Sequence, residues 1–430
     1  MKDGGVSRRS LLKGGAACAT LAASRFLPPL LRAQSGPPAA SSPAAGTGAL
    51  PGRPGARPRV AVVGAGAFGG FTALSLVRRG ARVTLVDAWG PGNSRASSGG
   101  ETRVIRATYG PDRIYVQMVA QALRLWRENE TRFGQRLYRK TGVLWMVGRD
   151  DRFERASLSL LREEGLAFDE MSRSDAATRY PQVSFEGIAR AILEKEGGYL
   201  LARRSCQVVM EGLQKEGGEY RQVSAAPGVV GKEGMGALPL SDGTRLAADH
   251  YVFACGPWLG RMFPEAIGDR VLPTRQEVFF FGTPAGDPRY QEDRLPVWVD
   301  HGDRIVYGVP GNEWRGFKVA DDTHGPVFDP DRSDRIATAD GLASARAYLA
   351  RRFPGLTGAP LLEARVCQYE NSPDGRFILD RLPGADNAWI VGGGSGHGFK
   401  HGPAIGERMA DLVLGAATPD PFFALSRFTK

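Results

Sequence analysis

Between Arg59 and Asp87 the chain reads RVAVV, GAGAFGG, FTALSLVRRG and ARVTLVD. A β-branched run, a glycine turn, apolar residues at helical spacing and a second β-branched run predict strand, turn, helix and strand. Gly64, Gly66 and Gly69 form G-x-G-x-x-G. In such a turn the first glycine permits the tight bend, the second lets backbone approach a pyrophosphate, and the third allows close helix–strand packing. The free N–H groups of the helix N-terminus then face the phosphates. Asp87 follows Gly66 by 21 residues, where a carboxylate accepts the hydroxyls of an adenosine ribose and repels a 2′-phosphate. FAD or NAD fits this unit and NADP does not. The fingerprint alone does not choose between FAD and NAD.

A chain of 430 residues has room for two or three domains, and 42% hydrophobic against 24% charged residues is ordinary globular usage. The formal net charge of +10 is unevenly spread, because residues 1–34 hold six basic residues against one acid. The rest carries no long Lys/Arg run or stacking array, which argues against a nucleic-acid partner. Within the leader, SRRSLLKGGAACATLAAS resembles a twin-arginine export signal: Ser7, Arg8, Arg9, Leu11, Leu12 and Lys13 stand in its order. The apolar stretch is too short to span a bilayer. The resemblance implies passage through the twin-arginine export machinery, periplasmic or secreted localisation, and a protein folded around a cofactor before it crosses. Residues 35–58, rich in Pro, Ala, Gly and Ser, read as a flexible linker. Beyond Cys18 of the leader, Cys206, Cys255 and Cys367 remain, so at least one lies outside any intramolecular disulfide. Neither their spacing nor that of the histidines makes a metal-ligand pattern.

The segment WGPGNSRASSGGETRVIRATYG, beginning at Trp89, resembles the second flavin-contacting segment of the D-amino acid oxidase superfamily. Further matches follow in order: KTGVLW at 140–145, ADHYVFACGPWLG at 248–260, RGFKVAD at 315–321, EARVCQYENSPDGRFILD at 363–380 and GGGSGHGFKHGPAIGE at 392–407. Within that superfamily the chain is most similar to monomeric sarcosine oxidase and to N-methyl amino acid and pipecolate oxidases. The resemblance implies FAD, with its pyrophosphate on Gly64–Gly69, its ribose on Asp87, Thr102 and Arg103 near the isoalloxazine, and Gly396 bringing backbone close to the ring. It also implies a thioether from Cys367 to the flavin 8α carbon.

Arg106 and Lys400 match the two cations that hold a substrate carboxylate, and Tyr307 matches a tyrosine lining the substrate pocket. Lys318 matches the lysine that promotes reaction of reduced flavin with oxygen, where an ammonium in a dry site stabilises the developing negative charge. By residue type alone, Arg106 would form a surface ion pair, Lys400 would be solvated, Tyr307 would be a core aromatic and Cys367 an inert buried thiol. The matched motifs favour the functional readings. One departure stands out: sarcosine oxidase has a histidine four positions after this lysine, where this chain has Asp322, with His324 two further on. A carboxylate there changes the pocket's charge and puts sarcosine as the natural substrate in doubt.

The expected fold is α/β, with a discontinuous Rossmann-like FAD-binding domain (59–115, 195–275 and 362–425) and an α+β, mixed-sheet substrate domain (116–194 and 276–361). The expected reaction is oxidation of a secondary or N-methyl amino acid: a hydride equivalent passes from the α carbon to flavin N5, and O2 accepts the electrons to give H2O2. A dehydrogenase of the same fold that passes electrons to a quinone or carrier protein is the main rival. A flavin-binding protein without turnover is a second, and an NAD-linked dehydrogenase is disfavoured because the later motifs match flavin contacts.

Overall fold

The computed structural model describes residues 57–302 and 304–428. The export signal expected over 1–34 and nearly all of the linker expected over 35–58 lie outside the described residues. The strand–turn–helix–strand unit forms where the hydrophobic pattern puts it: strand Arg59–Val63, helix Ala67–Arg78 and strand Arg82–Asp87. Val60, Ala61, Val62 and Val63 are all buried, as in a parallel strand covered on both faces. The helix is buried along most of its length and packs beside Gly402–Val413 from the far end of the chain.

This unit seeds a six-stranded sheet in the order Ile378–Leu382, Ala385–Gly392, His250–Phe253, Arg59–Val63, Arg82–Asp87 and Glu219–Gln222. Every neighbouring pair is parallel except the first. The sheet therefore draws on three separated stretches of sequence, the α/β, Rossmann-like arrangement expected.

A second sheet has eight strands in the order Leu361–Asn371, Leu272–Phe281, Phe317–Asp321, Ile305–Val309, Val297–His301, Val143–Val147, Arg190–Glu194 and Phe168–Ser172. It is mixed: only the Val297–His301 and Val143–Val147 pair is parallel. Its register decides what the site contains. Cys367 pairs with Gln276, Phe280 with Lys318, Tyr307 with both Ala320 and Val299, Val299 with Trp145, and Val143 with Glu194. Paired residues and residues two apart share a face. Cys367, Lys318, Tyr307, Trp145 and Glu194 therefore all project from one side.

The other side carries Phe279, Phe281, Trp298, Val306 and Val319, which pack on Tyr348 and Leu349 of helix Ala339–Arg352 as a separate core. A buried ion pair of Arg352 with Asp300 at 2.8 Å sits within it. A short third sheet, Thr102–Ile105 with Gly198–Leu201 and Tyr138–Arg139, carries Thr102 and Arg103.

Candidate active site

The glycine turn opens a cavity of about 300 Å³ lined by Gly64, Gly66, Asp87, Ser97, Ser98, Arg103, Tyr369, Glu370, Gly394 and Gly396 among others. Gly64 has φ +105°, and a Cβ there would lie 2.4 Å from the Ala254 carbonyl oxygen. A Cβ on Gly69 would lie 1.9 Å from the Gly64 oxygen, so this glycine sets the helix-to-strand approach. At Gly66 a Cβ would meet only Ser98, with Oγ at 3.3 Å, and so would project into the cavity rather than into backbone. Bare backbone at the mouth of a helix is the cradle a pyrophosphate requires. Asp87 ends the second strand and accepts from the N–H groups of Ala65 at 2.8 Å, Trp89 at 2.9 Å and Gly90 at 2.8 Å. It thereby ties the turn to the strand end. Trp89 and Trp258 line the same cavity with ring centroids 4.8 Å apart.

At the other end the third sheet meets the eight-stranded one. Lys318 Nζ donates to the Thr102 carbonyl oxygen at 3.0 Å and lies 5.5 Å from the Tyr307 ring centroid. Burial, reinforced by the Arg103 charge, brings this ammonium down to about 7. Arg103 Nη2 reaches Cys367 Sγ at 3.3 Å. Burial pushes the other two described thiols up, Cys206 to about 12 and Cys255 further. All three are free. Tyr307 and Tyr369 hydroxyls are 3.5 Å apart, and Tyr369 donates to Asp322 at 2.8 Å. Burial, with the Asp322 charge next, raises Tyr307 to about 12 and Tyr369 well above its ordinary value. Asp322 thus anchors a tyrosine of the cavity wall.

Arg106 and Lys400 are brought together from opposite ends of the chain. The Arg106 guanidinium lies 4.7 Å from the Tyr109 ring centroid and Lys400 Nζ lies 5.1 Å from it. Lys400 is 3% exposed, and its Nζ donates to the His397 carbonyl oxygen at 2.8 Å. The Tyr109 hydroxyl is 3.0 Å from His397 Nδ1 and 2.9 Å from His401 Nε2. His397 Nε2 lies 2.9 Å from the Gly375 carbonyl oxygen, which can only accept. The Gly375 carbonyl therefore puts a proton on His397 Nε2, and the Tyr109 hydroxyl bridges His397 Nδ1 and His401 Nε2. Burial, then the Lys400 charge, holds His401 well below the ordinary imidazole value and hence neutral.

Of the residues singled out from sequence, Gly64, Gly66, Asp87, Arg103 and Gly396 line the cavity, and Gly69 shapes its turn. Thr102, Lys318, Tyr307 and Cys367 gather around Arg103 or one another, and Arg106 and Lys400 share Tyr109. Sequence reasoning missed Tyr109, Tyr369, Glu370, Trp145 and Glu194. All but Glu194 stood inside quoted motifs: Tyr109 is the last residue but one of VIRATYG, Trp145 closes KTGVLW, and the pair Tyr369–Glu370 follows Cys367. Glu370 is a buried acid accepting from Ser97 Oγ at 2.8 Å, and burial raises it.

A dinucleotide cradle facing a sheet that bears lysine, tyrosine and cysteine defines a flavin- or nicotinamide-dependent redox enzyme. The comparison with known families decides between them: residues 59–412 match the model of the FAD dependent oxidoreductase family, and the chain belongs to that family. FAD is its cofactor. It is 29% identical over 366 residues to monomeric sarcosine oxidase of Arthrobacter sp. (strain TE1826), covering 84% of this chain and 93% of the relative. It is also 29% identical over 381 residues to N-methyl-L-tryptophan oxidase of Salmonella agona (strain SL483), covering 86% and 98%. Among solved structures, L-proline dehydrogenase from P.horikoshii superposes with a TM-score of 0.75 at 18% identity, over 87% of this chain and 98% of the other. Glycine oxidase from Geobacillus kaustophilus superposes with a TM-score of 0.71 at 19% identity, over 86% and 99%. Both show the shared fold.

Proposed function

We propose that the chain oxidises a secondary or N-methyl amino acid and passes the electrons to O2, giving H2O2. The observation that carries this reading is the convergence of Arg106 and Lys400 on the Tyr109 ring. Two cations held against one aromatic ring can grip a single carboxylate, and the guanidinium fork adds direction. Bound FAD supplies the redox chemistry, taking a hydride equivalent from the carbon next to nitrogen. The chain's residues bind and orient: the clamp fixes the carboxylate end, Tyr369 walls the cavity, and the Tyr307 hydroxyl stands 3.5 Å from that of Tyr369. The hydrogen-bonded chain of Tyr109, His397 and His401 supports the clamp. Lys318, buried beside Thr102, supplies the cation that favours electron transfer to oxygen. A thioether from Cys367 to the flavin belongs to the same reading: the motif around Cys367 supports it, and Arg103 Nη2 lies 3.3 Å from its Sγ. The leader at 1–34 would route the folded, cofactor-loaded protein to the twin-arginine machinery.

Support comes from relatives whose names state oxidation of sarcosine and of N-methyl-L-tryptophan. Asp322 sets this pocket apart, so the test extends beyond sarcosine. The purified protein is screened against N-methyl amino acids, proline analogues and pipecolate for peroxide release. Turnover on at least one, abolished or strongly weakened in Arg106→Ala, is expected. Flavin reduced by none of them would refute the reading.

A further inference from the structure

Glu194 ends strand Arg190–Glu194 and is 4% exposed. Its Oε2 accepts from the Ala107 N–H at 2.6 Å, and its Oε1 accepts from the Thr108 N–H at 3.1 Å and from Trp145 Nε1 at 2.7 Å. Every one of these donors surrounds Arg106. Ala107 and Thr108 follow it in sequence, the Thr108 carbonyl oxygen accepts from Arg106 Nη1, and the Trp145 ring centroid lies 5.2 Å from the guanidinium. One buried carboxylate thus fixes both the loop that carries the guanidinium and the indole on which it rests. Arg106 and Glu194 also border a cavity of about 10 Å³. That holds a single water at most, so Glu194 reaches no ligand through it.

We propose that Glu194 is a positioning residue that sets the Arg106 guanidinium for a carboxylate-bearing ligand. The inference rests on the reading of Arg106 as a carboxylate-binding cation. A glutamine in its place presents an N–H to one of the backbone or indole N–H donors whichever way its amide turns. A buried donor is then left unmade and the loop shifts. A fork that binds two oxygens in parallel loses its match to a carboxylate on small displacements.

The test is a double-mutant cycle on the holoenzyme, with propionate as the probe and its dissociation constant read from the perturbation of flavin absorbance. Glu194→Gln should weaken propionate by about ten- to a hundredfold in the wild-type background. In the Arg106→Ala background it should change binding by less than about twofold, because the group it positions is gone. With the substrate found in the screen, KM should rise in the same proportion while kcat holds. Glu194→Asp keeps the charge on an arm too short to reach both segments, and it should show the same pattern if the glutamine variant does not fold. Equal loss in both backgrounds, or no loss in either while Arg106→Ala weakens propionate, overturns the inference alone. Propionate binding untouched by Arg106→Ala overturns the clamp reading and this inference with it.

Discussion

Replacing Lys318 with methionine keeps the side chain's length and removes its ammonium. That group is 2% exposed, and burial, with Arg103 as the second cause, brings it from 10.5 to about 7. At about 1.4 kcal/mol per pH unit, keeping it charged costs the folded state about 5 kcal/mol relative to the unfolded chain. The folded value lies below the unfolded one, so between about pH 7 and 10.5 the unfolded chain binds the extra proton and stability falls as pH falls. Lys318→Met should therefore be more stable than wild type at neutral pH, by less than the full amount because the bonds to Thr102 oxygens at 3.0 and 3.4 Å are lost. The advantage should vanish toward pH 10.5.

Oxygen reactivity should move the other way. A charge developing about 5 Å from a cation at an effective dielectric of about 20 gains about 3 kcal/mol, roughly a hundredfold or more in rate. Anaerobically reduced protein mixed with aerated buffer in a stopped-flow instrument reads this directly. Wild-type reoxidation should slow as pH rises through about 7, and the variant should be slow and flat. Reoxidation within about threefold of wild type, or an unchanged pH profile, would refute the role given to Lys318.

Gly64→Ala forces a positive-φ residue to carry a Cβ 2.4 Å from a carbonyl oxygen, so bound flavin per polypeptide should drop sharply; full occupancy by absorbance would contradict the cradle. Acid precipitation should leave the flavin colour in the wild-type pellet and release it to the supernatant in Cys367→Ser. Colour in the supernatant for both would remove the thioether. The lowered His401 value means that the folded state resists a proton the unfolded chain accepts, so stability should fall as pH drops below about 6.5. Urea midpoints between about pH 7 and 5 should show this fall, and His401→Gln should flatten it.

The βαβ unit was legible because its signals are local: β-branched runs, a glycine spacing and an acid at the end of a strand. The apolar runs at 141–147 and 295–309 read as strands for the same reason; the first holds strand Val143–Val147, and the second divides into Val297–His301 and Ile305–Val309. Their partners were not legible. Trp145 and Glu194 enter the site through pairing of Val143–Val147 with Val297–His301 on one side and Arg190–Glu194 on the other, with more than a hundred residues between the first two. Register across that distance is set by the packed core and leaves no mark in either segment alone. Tyr109 shows a different limit. It stood three residues from Arg106, but its bridging role depends on His397 and His401 arriving from the turn and the 3-10 segment that lead into helix Gly402–Val413. Motif matching found the cations; only the fold shows the ring on which they meet.

The central claim is that a carboxylate clamp holds an amine against a flavin seated between the glycine cradle and the eight-stranded sheet. Anaerobic titration of the purified protein with a series of N-methyl and cyclic secondary amino acids, followed by flavin absorbance, tests it most directly. Stoichiometric bleaching by at least one of them is expected, with colour returning on admission of air. A protein that is colourless and cannot be reconstituted with FAD, or whose flavin stays oxidised with every amine offered, would contradict it.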